Sequence, residues 1–391
     1  MRLLALLLLL PALLVAQPGS GQGGVTIQAG EECPPGMTEI RPRNCRAPTM
    51  PAPSILDYRP RNTVVSAAQP VPRAKYPAVD FHGHPAAIRS AEQLDALQRE
   101  FDAMNLGVMV AANNTRGESL RAQLAVVRAH PAMRDRIRFL TGIDFSNVGP
   151  GWAERAVAAL EADIAAGAVG VGEIGKGLGL STRKADGSRL AIDDPALDPV
   201  WQAAARLNIP IFIHTADPAE FWQPIDFKNE RWLELALFPN RRYGDEFPSF
   251  EQLAQERDRM IKRNPRTTFV VAHMAWYAND LPRLSRMMDE MPNMLLEVGA
   301  VLYDIGRQPR AMHDFFVKYQ DRILFGKDSY QPEEYPYYWR VFETRDDYFE
   351  YYRGYHAFWM LYGIDLPDEV LRKVYYGNAE RILPGLPRVG R

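Results

Sequence analysis

The chain has 391 residues, 47% of them hydrophobic and 24% charged, which is enough apolar material for a sizeable buried core. Its 46 Lys and Arg nearly balance its 48 Asp and Glu, which excludes the basic footprint of a nucleic-acid binder and a polybasic membrane patch. What remains is a globular protein with a small-molecule partner, of a length normal for one α/β barrel with additions.

Arg2 is followed by an apolar run, Leu3 to Ala16, broken only by Pro11, and then by a small polar stretch. That pattern predicts a signal peptide over residues 1–16 and a secreted or periplasmic protein. The run is short for a bilayer span, so a stable membrane anchor is not expected. The two cysteines, Cys33 and Cys45, are expected to pair in an oxidising compartment. The bridge would close a loop of about a dozen residues and stabilise it by about 3 kcal/mol at most. Residues 17–74 are rich in Pro and Arg and read as an extended arm, with the barrel domain over 75–391.

From Ala78 onward, short β-branched or aromatic runs alternate with helical patterns. Strands are predicted at Ala78–His82, Gly107–Ala112, Ile137–Ile143, Ala168–Glu173, Ile209–His214, Thr268–His273, Met294–Val298 and Ile323–Phe325. Helices are predicted at Ala91–Asn105, Glu118–His130, Trp152–Ala166, Pro195–Asn208, Phe250–Asn264, Leu281–Met291 and Arg310–Tyr319, with a last one at Pro367–Tyr376. Eight such units favour a closed α/β fold, a (β/α)8 TIM-like barrel, over an open doubly wound sheet. No GxGxxG or P-loop follows the first strand, so the usual nucleotide signature is missing. Two insertions, Ala216–Ser249 after strand 5 and Tyr330–Tyr362 after strand 8, lie where barrel loops build active sites.

Four of the seven histidines fall at strand ends. His82 and His84 are two apart, about 6.6 Å at roughly 3.3 Å per residue, so both imidazoles can converge on one ion. His214 ends the fifth strand, His273 the sixth, and Asp328 closely follows the eighth. A histidine at a strand end is by itself an ordinary hydrogen-bonding residue. Four of them with an Asp, all on one barrel edge, are not explained by packing. His130 and His313 read as structural, and His356 lies among aromatics. Arg241 and Arg242 are a solvated pair that could reach a substrate carboxylate, and Asp80 shares the alternation of His82 and could orient a ligand.

With those residues in place, the sequence resembles the amidohydrolase superfamily, in the branch called amidohydrolase family 2, over roughly Lys75 to Leu383. The resemblance implies that His82, His84, His214 and Asp328 are metal ligands, and that His273 contacts substrate or the activated water. It also implies a role for Glu173, at the end of strand 4, where binuclear relatives place a bridging group. One ion with Glu173 beside it, or two ions bridged by Glu173, both fit; pairing of Glu173 with Lys176 or Lys327 is the bland alternative.

Nitrogen and oxygen donors without thiolate make Zn²⁺ the first choice of divalent metal, with Mn²⁺, Fe²⁺ or Co²⁺ also compatible. A divalent ion brings the pKa of its water from 15.7 to about 7. Asp328 would take the water proton, and His273 would polarise the carbonyl or protonate the leaving group. The expected function is hydrolysis of a small ester, lactone or amide. Metal-dependent decarboxylation of an aromatic or unsaturated acid is the alternative, and a non-catalytic secreted metal- or ligand-binding barrel is the second. The exposed aromatics after strand 8 would suit a homo-oligomer.

Overall fold

A computed structural model of the chain describes residues 24–65, 69–356 and 359–386. The run read as a signal peptide lies outside those residues. The chain divides into two units at Asn62 and Thr63.

The first unit holds a three-stranded antiparallel sheet of β1 (Val25–Thr26), β2 (Thr38–Arg41) and β3 (Asn44–Arg46), in the order β1-β3-β2. Cys33 and Cys45 are bridged, and Cys45 is fully buried. The sheet lies within the stretch expected to be an extended arm. Its strands are two to four residues long and mostly exposed, too short to show a periodic pattern, so the disulfide is what marks them.

The second unit carries every helix and strand expected after Ala78. Its strands are β4 (Ala78–His84), β5 (Leu106–Ala111), β6 (Ile137–Thr141), β7 (Gly170–Ile174), β8 (Ile211–Ile213), β9 (Phe269–Val271), β10 (Met294–Glu297), β11 (Ile323–Leu324) and β12 (Asp328–Ser329). All neighbours are parallel, in the order β11-β10-β9-β8-β7-β6-β5-β4-β12. The last two are one strand in two pieces, interrupted at 325–327. β11 pairs with β10, β12 pairs with β4, and Phe81 N donates to Phe325 O at 3.0 Å, so the sheet closes on itself.

Alternation along the strands divides the core. Val79, Phe81, Val108, Val110, Phe212, Val270, Leu295 and Leu324 form one cluster, and Met109, Phe139, Val171, Ile211, Phe269, Leu296 and Ile323 belong to another packed with the helices. Strands covered on both faces carry continuous apolar runs, which is why Ile211-Phe212-Ile213 is wholly buried. The helices run Ala91–Met104, Gly117–Ala129, Trp152–Ala166, Asp198–Leu207, Phe250–Arg263, Leu281–Glu290 and Pro309–Lys318. Among the described residues no helix is long and apolar enough to cross a membrane.

The two insertions meet over the barrel. The first contains a helix at Trp232–Leu237; the second contains a helix at Tyr335–Glu343 and a hairpin of β13 (Phe349–Glu350) and β14 (Met360–Leu361). Arg231 stacks over the Tyr303 ring at 4.2 Å and bonds Glu234, which His356 Nε2 approaches to 3.6 Å. His356, Arg231 and Glu234 are therefore joints between loops. Arg241 also pairs with Glu234, and Arg242 Nε donates to Gln223 O.

Candidate metal centre

Strand ends deliver the cluster. His82 and His84 come from β4, Glu173 from β7, His214 directly follows β8, His273 follows β9, and Asp328 opens β12. After β9 the backbone makes a left-handed turn: His273, Met274, Ala275 and Trp276 have φ of 57°, 48°, 59° and 59°. Four consecutive non-glycine residues in that region cost about 1 kcal/mol or more each, strain of a kind found at functional sites. The turn stacks His273 against His214 (centroids 4.4 Å), His82 (5.2 Å) and Trp276 (4.4 Å). Asp328 also has positive φ, 79°.

Donor atoms of His82, His84 and Asp328 lie within 4.8 Å of one another, as do those of His82, Glu173 and His273. Asp328 Oδ1 is 3.7 Å from Nε2 of both His82 and His84. Glu173 Oε2 is 3.4 Å from His82 Nε2 and 3.1 Å from His84 Nε2, while its Oε1 meets His214 Nδ1 at 2.6 Å. His214 thus reaches the cluster through Glu173, and its Nε2 faces Asp217 Oδ1 at 3.9 Å. Glu173 makes no ion pair with either lysine considered for it: Lys176 pairs with Asp217 and Lys327 with Glu334.

Nε2 of His82 and Nε2 of His214 are buried without a hydrogen-bond partner. Buried polar atoms are normally satisfied. Two orphaned imidazole nitrogens beside two carboxylates are what an N/O metal site leaves when only protein atoms are considered, so the residues fit a divalent ion. His84 and Asp328 side chains are 27% and 35% exposed, which opens one side of the cluster to a small molecule.

Electrostatics point the same way. Burial opposes a charge on His82, yet Glu297, Glu173 and Asp328 together raise its pKa well above the usual histidine value. Burial pushes Glu173 up, but the charge of His82 and the close imidazoles of His214 and His84 hold it well below the carboxylate range. Burial likewise raises Asp328, and His82 and His273 outweigh it, so Asp328 lies below its ordinary value. His273 is lowered to about 4, by burial first and then by His214 and His82. The carboxylates thus seek a cation, and the proton on His82 stands where one would bind.

Glu297 is the residue that sequence reasoning missed. It is fully buried at the end of β10, and its Oε2 accepts from His82 Nδ1 at 3.0 Å and from His273 N at 3.3 Å. Its Oε1 accepts from Gly299 N. A carboxylate on Nδ1 fixes the His82 tautomer and leaves Nε2 as donor. His273 Nδ1 in turn donates to Gly299 O at 2.8 Å. Gly326 and Gly299 make room for this group: a Cβ on Gly326 would lie 2.3 Å from Glu297 Oε1, and on Gly299 2.6 Å. The only hint in the sequence was a lone acid among apolar residues, Leu295-Leu296-Glu297-Val298.

Asp80, by contrast, does not orient the His82 ring. The β4 register shifts between Asp80 and Gly83, so simple alternation does not carry through. The Asp80 carboxylate holds backbone, accepting from His82 N at 3.0 Å and Lys327 N at 3.1 Å, and from the Tyr335 hydroxyl. His130 and His313 serve elsewhere, on Asp95 and on the Ile364 carbonyl.

No curated protein matches the chain significantly. Among solved structures, an uncharacterised TIM-barrel protein from Bordetella bronchiseptica is 17% identical, with TM-score 0.49, covering 78% of this chain and 97% of its own. A dihydroxybenzoic acid decarboxylase from Polaromonas sp., with bound manganese and 2-nitroresorcinol, is 15% identical with TM-score 0.48, covering 79% and 96%. A 4-oxalomesaconate hydratase from Rhodopseudomonas palustris is 13% identical with TM-score 0.47, covering 78% and 95%. The family model described as Amidohydrolase matches residues 79–385, from the first barrel strand past the last helix. The chain belongs to the amidohydrolase family.

Proposed function

We propose that this enzyme is a metal-dependent hydrolase of a small ester, lactone or amide. The observation that carries the reading is the trio His82, His84 and Asp328 within 4.8 Å, with Glu173 beside it and Glu297 fixing the His82 tautomer. These residues would hold a divalent ion, with Zn²⁺ the first choice for N and O donors without thiolate. Glu173 and His214 complete the set, His214 on the strength of the family resemblance. One ion per chain suits a cluster in which His82 belongs to both trios.

The ion, when bound, supplies a Lewis acid that makes water nucleophilic near neutral pH. Asp328, held ionised by its histidine neighbours and partly open to solvent, accepts the proton from the attacking water. His273 is a neutral imidazole at neutral pH. Its Nδ1–H is tied to Gly299 O, so Nε2 is the acceptor that can take a proton and return it to the leaving group. Trp276, its Nε1 anchored on Ala216 O at 3.1 Å, lies beside the His214 ring with centroids 5.9 Å apart. A leader removed on export would place this chemistry outside the cytoplasm.

The test is metal analysis and a hydrolysis panel on the same preparation. About one ion per chain is expected, together with acid release from esters or lactones, and Asp328→Asn should abolish turnover while the fold survives. Activity in Asp328→Asn would remove Asp328 as the base, and carbon dioxide release instead of acid release would replace hydrolysis by decarboxylation.

A further inference from the structure

Arg353, in the insertion after the eighth strand, is a cation with only a long ion pair, to Glu334. Its side chain is 19% exposed, and among the described residues its guanidinium makes no hydrogen bond. The nearest carboxylate oxygen, Glu334 Oε2, is 3.8 Å from Nη2 and is already held by Lys327 Nζ. The guanidinium lies 5.5 Å from the centre of the Tyr352 ring, whose buried hydroxyl faces the same Glu334 carboxylate. Tyr338 Oη accepts from Ala300 N at 3.1 Å, and its own proton has no acceptor among the described residues. A guanidinium without a hydrogen bond and two phenols are thus gathered in one aromatic cluster around the single carboxylate of Glu334.

That cluster borders the metal centre. Ala300 follows Gly299, whose carbonyl holds His273, and Lys327 precedes Asp328. The ends of the seventh and eighth strands therefore carry both groups. Arg231, a buried arginine of the first insertion, is a useful contrast: Glu234 and the Tyr303 hydroxyl each accept a hydrogen bond from its guanidinium. Asp80 is also spoken for, by two backbone amides and the Tyr335 hydroxyl. Leaving a shielded guanidinium without a hydrogen bond is costly, and a guanidinium fork matches a carboxylate bidentately.

We propose that Arg353, with the hydroxyls of Tyr352 and Tyr338, binds a substrate carboxylate remote from the reacting carbonyl. The substrate is then an acidic ester, lactone or amide. This deepens the hydrolase reading and rests on it for the reacting end alone.

The experiment titrates α,ω-dicarboxylates from malonate to pimelate, and monocarboxylates of matched length, into metal-loaded full-length protein by calorimetry. At one length the dicarboxylate should bind at least about tenfold tighter than its monocarboxylate match, the value of a charged hydrogen-bonded pair. Arg353→Gln should erase that advantage, Arg353→Lys should keep part of it, and Tyr352→Phe should lower it about threefold. Metal content and monocarboxylate affinity should not change. The proposal is overturned if no dicarboxylate exceeds its match, or if the advantage survives in Arg353→Gln. Should Arg353→Gln fail to fold, Arg353→Lys and Tyr352→Phe decide, and an undiminished advantage in both overturns it. A dicarboxylate preference without any ester or lactone hydrolysis would refute the reaction and leave the carboxylate subsite standing.

Discussion

Replacing Glu297 by Gln keeps the side chain's shape and takes away its ability to accept at both ends. In the native protein Oε2 takes His82 Nδ1–H and His273 N–H, and Oε1 takes Gly299 N–H. A glutamine that offers its carbonyl to Gly299 turns its NH₂ toward His82 Nδ1, which drives the imidazole proton onto Nε2, the atom needed for the metal. The opposite rotamer sets NH₂ against the Gly299 amide. Either way at least one buried charge-assisted hydrogen bond, worth about 1.5–3 kcal/mol, is lost. Loss of a carboxylate behind a ligating histidine costs about 10–100-fold in metal affinity, or about 1.4–2.8 kcal/mol. Competition with a chromophoric chelator at neutral pH would measure this, with melting of the metal-free proteins to show that the fold is retained. An affinity within about threefold of the parent, in a folded variant, would refute the claim that Glu297 sets the tautomer.

Gly326→Ala should cost about 1–3 kcal/mol in urea unfolding and weaken metal binding, because its Cβ would fall 2.8 Å from His82 Cβ as well as on Glu297; unchanged stability would show that the seam is looser than described. Burial lowers the pKa of His356 to about 2, with Arg231, Arg353 and Arg241 adding to it. The unfolded chain takes up that proton near 6.5 and the folded chain does not, so stability should be full above 6.5 and fall below it by up to about 1.4 kcal/mol per pH unit. Urea midpoints of His356→Phe should fall less steeply between pH 6.5 and 4, and equal slopes would refute the assignment. Cys33→Ser with Cys45→Ser should open residues 24–62 to protease by removing about 3 kcal/mol of loop restraint, without changing metal content; equal cleavage rates would show the bridge to be dispensable.

The barrel was legible because its strands are short apolar runs at regular spacing, and five residues of the centre were legible because strand ends share one rim. Glu173 was placed there but its partners were not, since side-chain direction beyond a strand end is set by the turn that follows. The limit shows most clearly at β4. Alternation assigned Asp80 and His82 to one face, and a register shift that no residue pattern announces separated their roles. Glu297 was hidden because a buried acid in an apolar strand looks like a substitution the strand merely tolerates, until His82, 215 positions away in the sequence, is placed beside it. Arg353 was lost in a segment whose many aromatics have no period. The minute sheet around Cys33 and Cys45 was invisible for want of length.

The split eighth strand bears on how the enzyme becomes active. Asp328 pairs with Gly83 and Ser329 with His84, so the first and last staves of the barrel meet where the proposed ligands lie. Lys327 and Asp80, which bond across the same seam, are 247 residues apart in the chain. Contacts of such separation form late, after the local βα units have condensed. A ribosome-bound fragment lacking the final strand can hold His82 and His84 but cannot offer them a carboxylate from Asp328. On the proposed ligand set, a divalent ion would be held in full only by a barrel that has shut, and would tie the two ends of the sheet together.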